Sequence, residues 1–174
     1  MKIQIMDRAK KKKFIAGLSD LGMEKIPELL VRSGKERMRA YSGDLSTEQI
    51  MEIWRLLPIE GVGLYVGKDM VNRNGVREIR LSLDGMHIWK KQLTKRILTL
   101  NEEQEKNWFL GKNIELSPRD DPAGPNDEQA EGISNGFVSV KSADGKDFVG
   151  MGKIGGKTLF GFLPKERRRR ERMS

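Results

Sequence analysis

The sequence contains no cysteine and a single histidine, His87. The first absence excludes disulfides, thiolate metal sites and thiol nucleophiles, and it favours a reducing compartment. The second leaves His87 without a companion at metal-ligand spacing, so a structural role is the plainer reading. Long apolar runs are missing as well. Stretches such as Val62 to Val66 are far too short to cross a bilayer, and the lysines near the start precede no apolar stretch of the kind a secretory leader needs. The expectation is a cytoplasmic protein with no membrane partner. Carboxylates do stand side by side, at Glu102 and Glu103 and at Asp120 and Asp121. One pair opens a helix and the other lies in a loop, and neither place offers the fixed geometry and shifted pKa that general acid–base catalysis needs. No active site and no cofactor are read from these residues.

What the chain does have is charge, unevenly placed. Its 33 lysines and arginines against 25 acidic residues make a formal net charge of +8 over 174 residues. Met1 to Phe14 carries six basic residues and one acidic, and Lys153 to Ser174 eight basic and two acidic. The two ends together exceed the whole surplus, so the middle is slightly acidic. Basicity placed in this way points to a polyanionic partner. With 37% hydrophobic residues the chain should fold, and its length suits one ordinary domain or, as preferred here, two small ones. Between Ser117 and Gly132 three prolines and a net charge of −4 describe a solvated acidic loop.

Apolar spacing at Ile15, Leu18, Leu21, Ile26, Leu29, Leu30 and Val31 predicts one or two short helices, interrupted at Gly22 and Pro27. Ser46 and Gln49 have the spacing of a capping box, ahead of a helix whose apolar face is Ile50, Ile53, Trp54 and Leu57 and which Pro58 stops. Strands follow in "EGVGLYVGKD" and "VREIRLSLDG", with a turn at Asp84 and Gly85, and the two form a hairpin. A helix is expected from Met86 through Lys95, then a strand or linker from Arg96 to Leu100. Asn101 caps a helix that Gly111 ends. "GFVSVKSADGKDFVGMGKI" reads as two strands around Asp144 and Gly145, and "KTLFGFLP" as one more. The fold class is therefore α+β: an N-terminal α/β domain over residues 1–95 and a small β barrel over 96–174.

Phe109, Leu110, Gly111, Ile114 and Leu116, followed by Gly136, Phe137, Val138, Val149, Gly150 and Gly152, resemble the pattern of a PUA domain, an RNA-binding pseudo-barrel. The ending "GMGKIGGKTLFGFLPKERRR", with "EGVGLYVGKD" and "IRLSLDGMHI" upstream, is similar to the pre-PUA and PUA region of the Sun-type RNA cytosine-5 methyltransferases. Those enzymes use a cysteine nucleophile and a cofactor-binding domain, and this chain has neither the cysteine nor the room for that domain. The resemblance therefore implies a non-catalytic RNA-binding protein acting on rRNA or tRNA, in RNA modification or ribosome biogenesis. The rival reading is an adaptor for a separate RNA-modifying enzyme or a ribosomal particle. The residues expected to contact RNA are Lys112, Asn113, Lys153, Lys157, Lys165, Arg167, Arg168, Arg169 and Arg170, in one basic groove.

Several features keep two readings. Gly150 and Gly152, with Lys153 and Lys157, can cradle phosphates, or the glycines can simply let the strands bend. Lys10 to Lys13 form a second electrostatic footprint, a localisation signal or a solubility device. Trp54 is read as core. Trp89 and Trp108 can stack on unpaired bases, although Trp108, with Phe109 and Leu110, is more simply read as the barrel-facing stripe of its helix.

Overall fold

A computed structural model of the chain describes residues 3–57, 59–117 and 135–169. The chain is α+β and divides into two compact units. The first comprises Met1–Ser19 and Met23–Ile88, the second Asp20–Gly22 and Trp89–Ser174.

The first unit is built on five strands: β1 (Ile3–Ile5), β2 (Leu29–Ser33), β3 (Arg37–Tyr41), β4 (Leu64–Val71) and β5 (Arg77–Leu81). They lie in chain order, and every neighbouring pair is antiparallel. Helix α1 (Arg8–Ala16) connects β1 to β2, α2 (Thr47–Leu56) connects β3 to β4, and α3 (Leu83–Ile88) follows β5. Side chains alternate across a strand, and the two faces of the sheet receive different helices. Ile3 and Val31 turn to Ile50, Met51 and Trp54 of α2, so Trp54 belongs to this core although it is only half-buried. Phe14 of α1 is fully buried, and Gly17 approaches Ile79 so closely that a Cβ there would lie 2.5 Å from Ile79 Cδ1.

Helix α2 begins as expected. The Ser46 hydroxyl accepts from the Gln49 amide at 3.2 Å, and the Gln49 side chain accepts from the Ser46 amide at 2.8 Å. Leu57 is already extended, the conformation favoured by a residue before proline; Pro58 itself lies outside the described residues. The helical reading of Leu29 to Val31 is corrected, because these residues form β2. As an interior strand it is covered on both faces, so its apolar residues run together instead of alternating. The turn expected at Asp84 and Gly85 is also corrected. Ser82 accepts from the Gly85 amide through its hydroxyl and from the Met86 amide through its carbonyl, which starts α3 there. No helix runs on to Lys95. The amides of Thr94 and Lys95 both donate to Leu21 O, and Arg96 turns the chain with a left-handed φ of 50°.

The second unit holds β6 (Ile97–Thr99), α4 (Glu102–Leu110), β7 (Ile114–Glu115), β8 (Gly136–Lys141), β9 (Phe148–Gly155), β10 (Thr158–Gly161) and a 3-10 turn at Lys165–Arg167. The sheet order is β6-β8-β9-β10-β7, with β6 parallel to β8 and the other pairs antiparallel. Helix α4 starts on the expected cap, here a complete capping box of Asn101 and Gln104, and ends at Gly111 in the left-handed conformation, φ 76°. Its Trp108 sits in one core with Leu98, Val138, Val140, Ile154 and Leu159. The β8–β9 hairpin turns where expected, with Gly145 at φ 70°. Most of the acidic stretch read over 117–132 lies outside the described residues.

Candidate nucleic-acid interface

Alternation along β9 turns Ile154 into the core and brings its neighbour Lys153 out on the opposite face of the sheet. The register sets Lys153 between Phe137 of β8 and Phe160 of β10. Its ammonium lies 5.4 Å from the centroid of the Phe137 ring, within cation–π range. Phe160 is 41% exposed. Two residues further on, the Phe162 ring meets Phe137 with centroids 5.9 Å apart and planes inclined at 51°. Three phenylalanines and a lysine thus share one face. Aromatic rings beside a cation can stack on bases and hold the adjoining phosphates, without demanding a particular base.

A second basic group gathers at the C-terminal end of α4. The amide of Arg169 donates to Phe109 O at 2.7 Å, and its guanidinium lies 4.8 Å from the centroid of the Phe109 ring. Arg168 Nε donates to Leu163 O at 3.1 Å. The same side chain crosses Gly111 so closely that a Cβ there would lie 2.6 Å from Arg168 Cδ. The last carbonyls of a helix carry partial negative charge, which favours cations at this end. Arg168 and Arg169 are therefore fixed to the folded surface, beside Lys112. The two groups are joined by consecutive residues, since Phe162 touches Phe137 and the carbonyl of Leu163 receives Arg168.

The remaining expected contacts fall as follows. Asn113 is exposed between Lys112 and β7, and Lys165 and Arg167 are exposed on the 3-10 turn. Lys157 occupies the β9–β10 turn, where its carbonyl accepts from the Leu116 amide at 2.8 Å. That position is at the opposite end of β10 from Lys112, about 13 Å away at the usual strand rise, so Lys157 does not join the arginines. Arg170 lies outside the described residues.

The phosphate-cradle reading of Gly150 and Gly152 is corrected. Strand β9 is interior, with its backbone paired to β8 and β10, and both glycines face inward. A Cβ at Gly150 would lie 2.9 Å from Trp108 Cζ2, and one at Gly152 would lie 2.5 Å from Leu159 Cδ1. Base stacking by Trp108 and Trp89 is corrected too, because both are buried. The Trp108 indole N–H donates to Val149 O at 3.1 Å. The aromatic side chains on the outer face are instead phenylalanines, Phe160 exposed and Phe137 and Phe162 half-buried, of which only Phe137 is singled out in the sequence, by its place in the family pattern. The available signal was their parity, one step out of phase with the core residues Val138 and Leu159.

The β8–β9 turn has the opposite character. The Ser142 hydroxyl, bonded to Asp144 at 2.6 Å, together with the Lys146 amide, holds the Asp144 carboxyl below its ordinary pKa. Glu105 accepts from the Ala143 amide at 2.6 Å, and with Glu102, Asp144 and Asp147 it lines a depression at this corner, where Lys146 pairs with Asp144. Among the described residues no helix is long and apolar enough to cross a membrane. Comparison with protein-family models and with curated protein sequences gives no match.

Proposed function

We propose that this chain is a non-catalytic RNA-binding protein whose second unit, of PUA type, takes an unpaired segment of a structured RNA such as rRNA or tRNA. The observation that carries the reading is the face formed by Phe137, Lys153, Phe160 and Phe162, which continues through Leu163 to Arg168 and Arg169. Bases stack on the rings. Lys153, Lys112 and the arginines contact the phosphates and supply affinity more than sequence choice. The absence of cysteine separates the chain from the thiolate chemistry of the methyltransferases it resembles, and the cytoplasm is the proposed compartment.

The test is fluorescence anisotropy with a labelled single-stranded RNA and a folded tRNA. Alanine at Phe160, and separately at Phe137, is expected to weaken binding by roughly 5- to 150-fold, the range for one stacked base. Because Phe160 is 41% exposed, its variant should melt like the parent. Affinity unchanged by F137A, F160A and the charge reversal K153E/R168E would overturn the proposal.

One observation favours the adaptor reading as a second role. Leu56 and Leu57 at the end of α2 and Leu64 at the start of β4 are 74%, 55% and 48% exposed. These apolar side chains suit a protein partner, such as a separate RNA-modifying enzyme or a ribosomal particle. A partner retained in pull-down after nuclease treatment, and lost on L56S/L57S, supports it.

A further inference from the structure

The first unit has its own basic concavity, built from different elements. A cleft of about 560 Å³ opens between α1 and the sheet, within the size range of small-molecule sites. Lys10 and Lys13 of α1, Arg32 of β2, Lys35 of the β2–β3 turn and Arg77 of β5 bring five cations to its lining. Two carboxylates, Asp69 and Glu36, share it.

Neither carboxylate is left over to neutralise the lysines. Asp69, its side chain 4% exposed, accepts from Arg77 Nε at 2.7 Å and Arg77 Nη2 at 2.8 Å, and also from Arg32. Glu36 faces Lys68, outside the cleft, at 3.5 Å. Among the described residues the ammonium groups of Lys13 and Lys35 have no ion-pair partner. Lys10 reaches only the exposed Asp7, at 3.1 Å, a type of pair that contributes little and exchanges readily.

Asp69 also acts as a brace. It holds two guanidinium groups in fixed positions, and Arg77 Nη1 donates to the Lys13 carbonyl at 3.1 Å, tying the lysine-bearing turn of α1 to β5. A ligand then meets cations that are already ordered and loses less entropy on binding. One cation would suffice to balance a buried carboxylate. A second arginine and two unpaired lysines leave a surplus suited to an anion with several charged oxygens.

We propose that this cleft is a phosphate-binding site, separate from the aromatic face of the second unit and argued independently of it. The phosphates come either from a nucleic-acid backbone or from a small phosphorylated ligand, and the experiment distinguishes these sources. The full chain is titrated calorimetrically with inorganic pyrophosphate, and RNA affinity is measured in parallel at several salt concentrations. Three proteins are compared: the parent, K13A/K35A, whose changes lie on the surface, and F160A. Saturable pyrophosphate binding is expected in the parent and in F160A, weakened at least about tenfold in K13A/K35A, which loses two charge-assisted contacts. If K13A/K35A also weakens binding of single-stranded RNA and reduces the salt slope by about 1.4, the source is the RNA backbone. Loss of pyrophosphate binding with RNA affinity intact assigns a small phosphorylated ligand. If neither pyrophosphate nor RNA distinguishes K13A/K35A from the parent, the proposal fails. RNA binding sensitive to F160A alone would then leave the function proposed above standing.

Discussion

At the scale of single residues, Trp108 explains two glycines, one of which, Gly150, looks in the sequence like part of a phosphate-binding motif. A Cβ at Gly150 would lie 2.9 Å from its ring and one at Gly161 would lie 3.0 Å away, so both strands use glycine to let the indole reach the Val149 carbonyl. Gly150→Ala should therefore destabilise the protein by about 1–3 kcal/mol through overpacking, measured by urea denaturation. In the pair G150A/W108F the smaller ring relieves part of the clash, and the combined cost should fall below the sum of the two single costs. Strict additivity would show that the ring is not what excludes the side chain. Gly111 makes the same kind of room for Arg168, which is why an arginine run at the end of the chain is tied down where it starts.

At the scale of elements, local chemistry sets where helices begin. Both capping boxes, Ser46 with Gln49 and Asn101 with Gln104, form between residues three positions apart, so they were legible without tertiary information. Asn101→Ala should cost about 1 kcal/mol and raise amide exchange in the first turn of α4, seen by hydrogen-exchange NMR at Gln104. An unchanged rate at Gln104 would mean that packing of Trp108 alone holds the helix start. Strands were less legible. β1 has three residues and β7 two, too few for a period to show. β2 lost its alternation because neighbours and helices cover it from every side. The reading of α3 failed for another reason: Ser82, the single residue between β5 and α3, caps the helix, leaving no room for a turn.

At the scale of the whole molecule, charge is arranged by unit as well as by chain position. The lysines of α1 line a cleft of the first unit, whereas the closing arginines border the aromatic face of the second. The acidic turn around Asp144 belongs to that second unit. Binding of single-stranded RNA should thus be strongly salt-dependent. The slope of log K against log salt should fall in magnitude by about 1.4 in K153Q/R168Q, about 0.7 for each phosphate contact removed. Measuring anisotropy titrations across a range of potassium chloride tests this, and a slope equal to that of the parent would remove both residues from the phosphate path.

Contacts a few positions apart were settled by the sequence alone: helix caps, the hairpin turn at Gly145, the glycine that ends α4, the uneven charge and the exclusion of thiol chemistry. Each depends on residue type and short spacing, and the chain needs no partner element to express it. Which side of a strand faces solvent was decided only in the tertiary structure. Phe160 is exposed and Phe137 only half-buried because α4 covers the opposite face, where Val138 and Leu159 lie. The same holds for the cleft of the first unit. Arg32, Asp69 and Arg77 come from three strands, and nothing near any one of them in the chain marks it for the others. Antiparallel register brings them together, and register is the outcome of packing summed over the whole sheet.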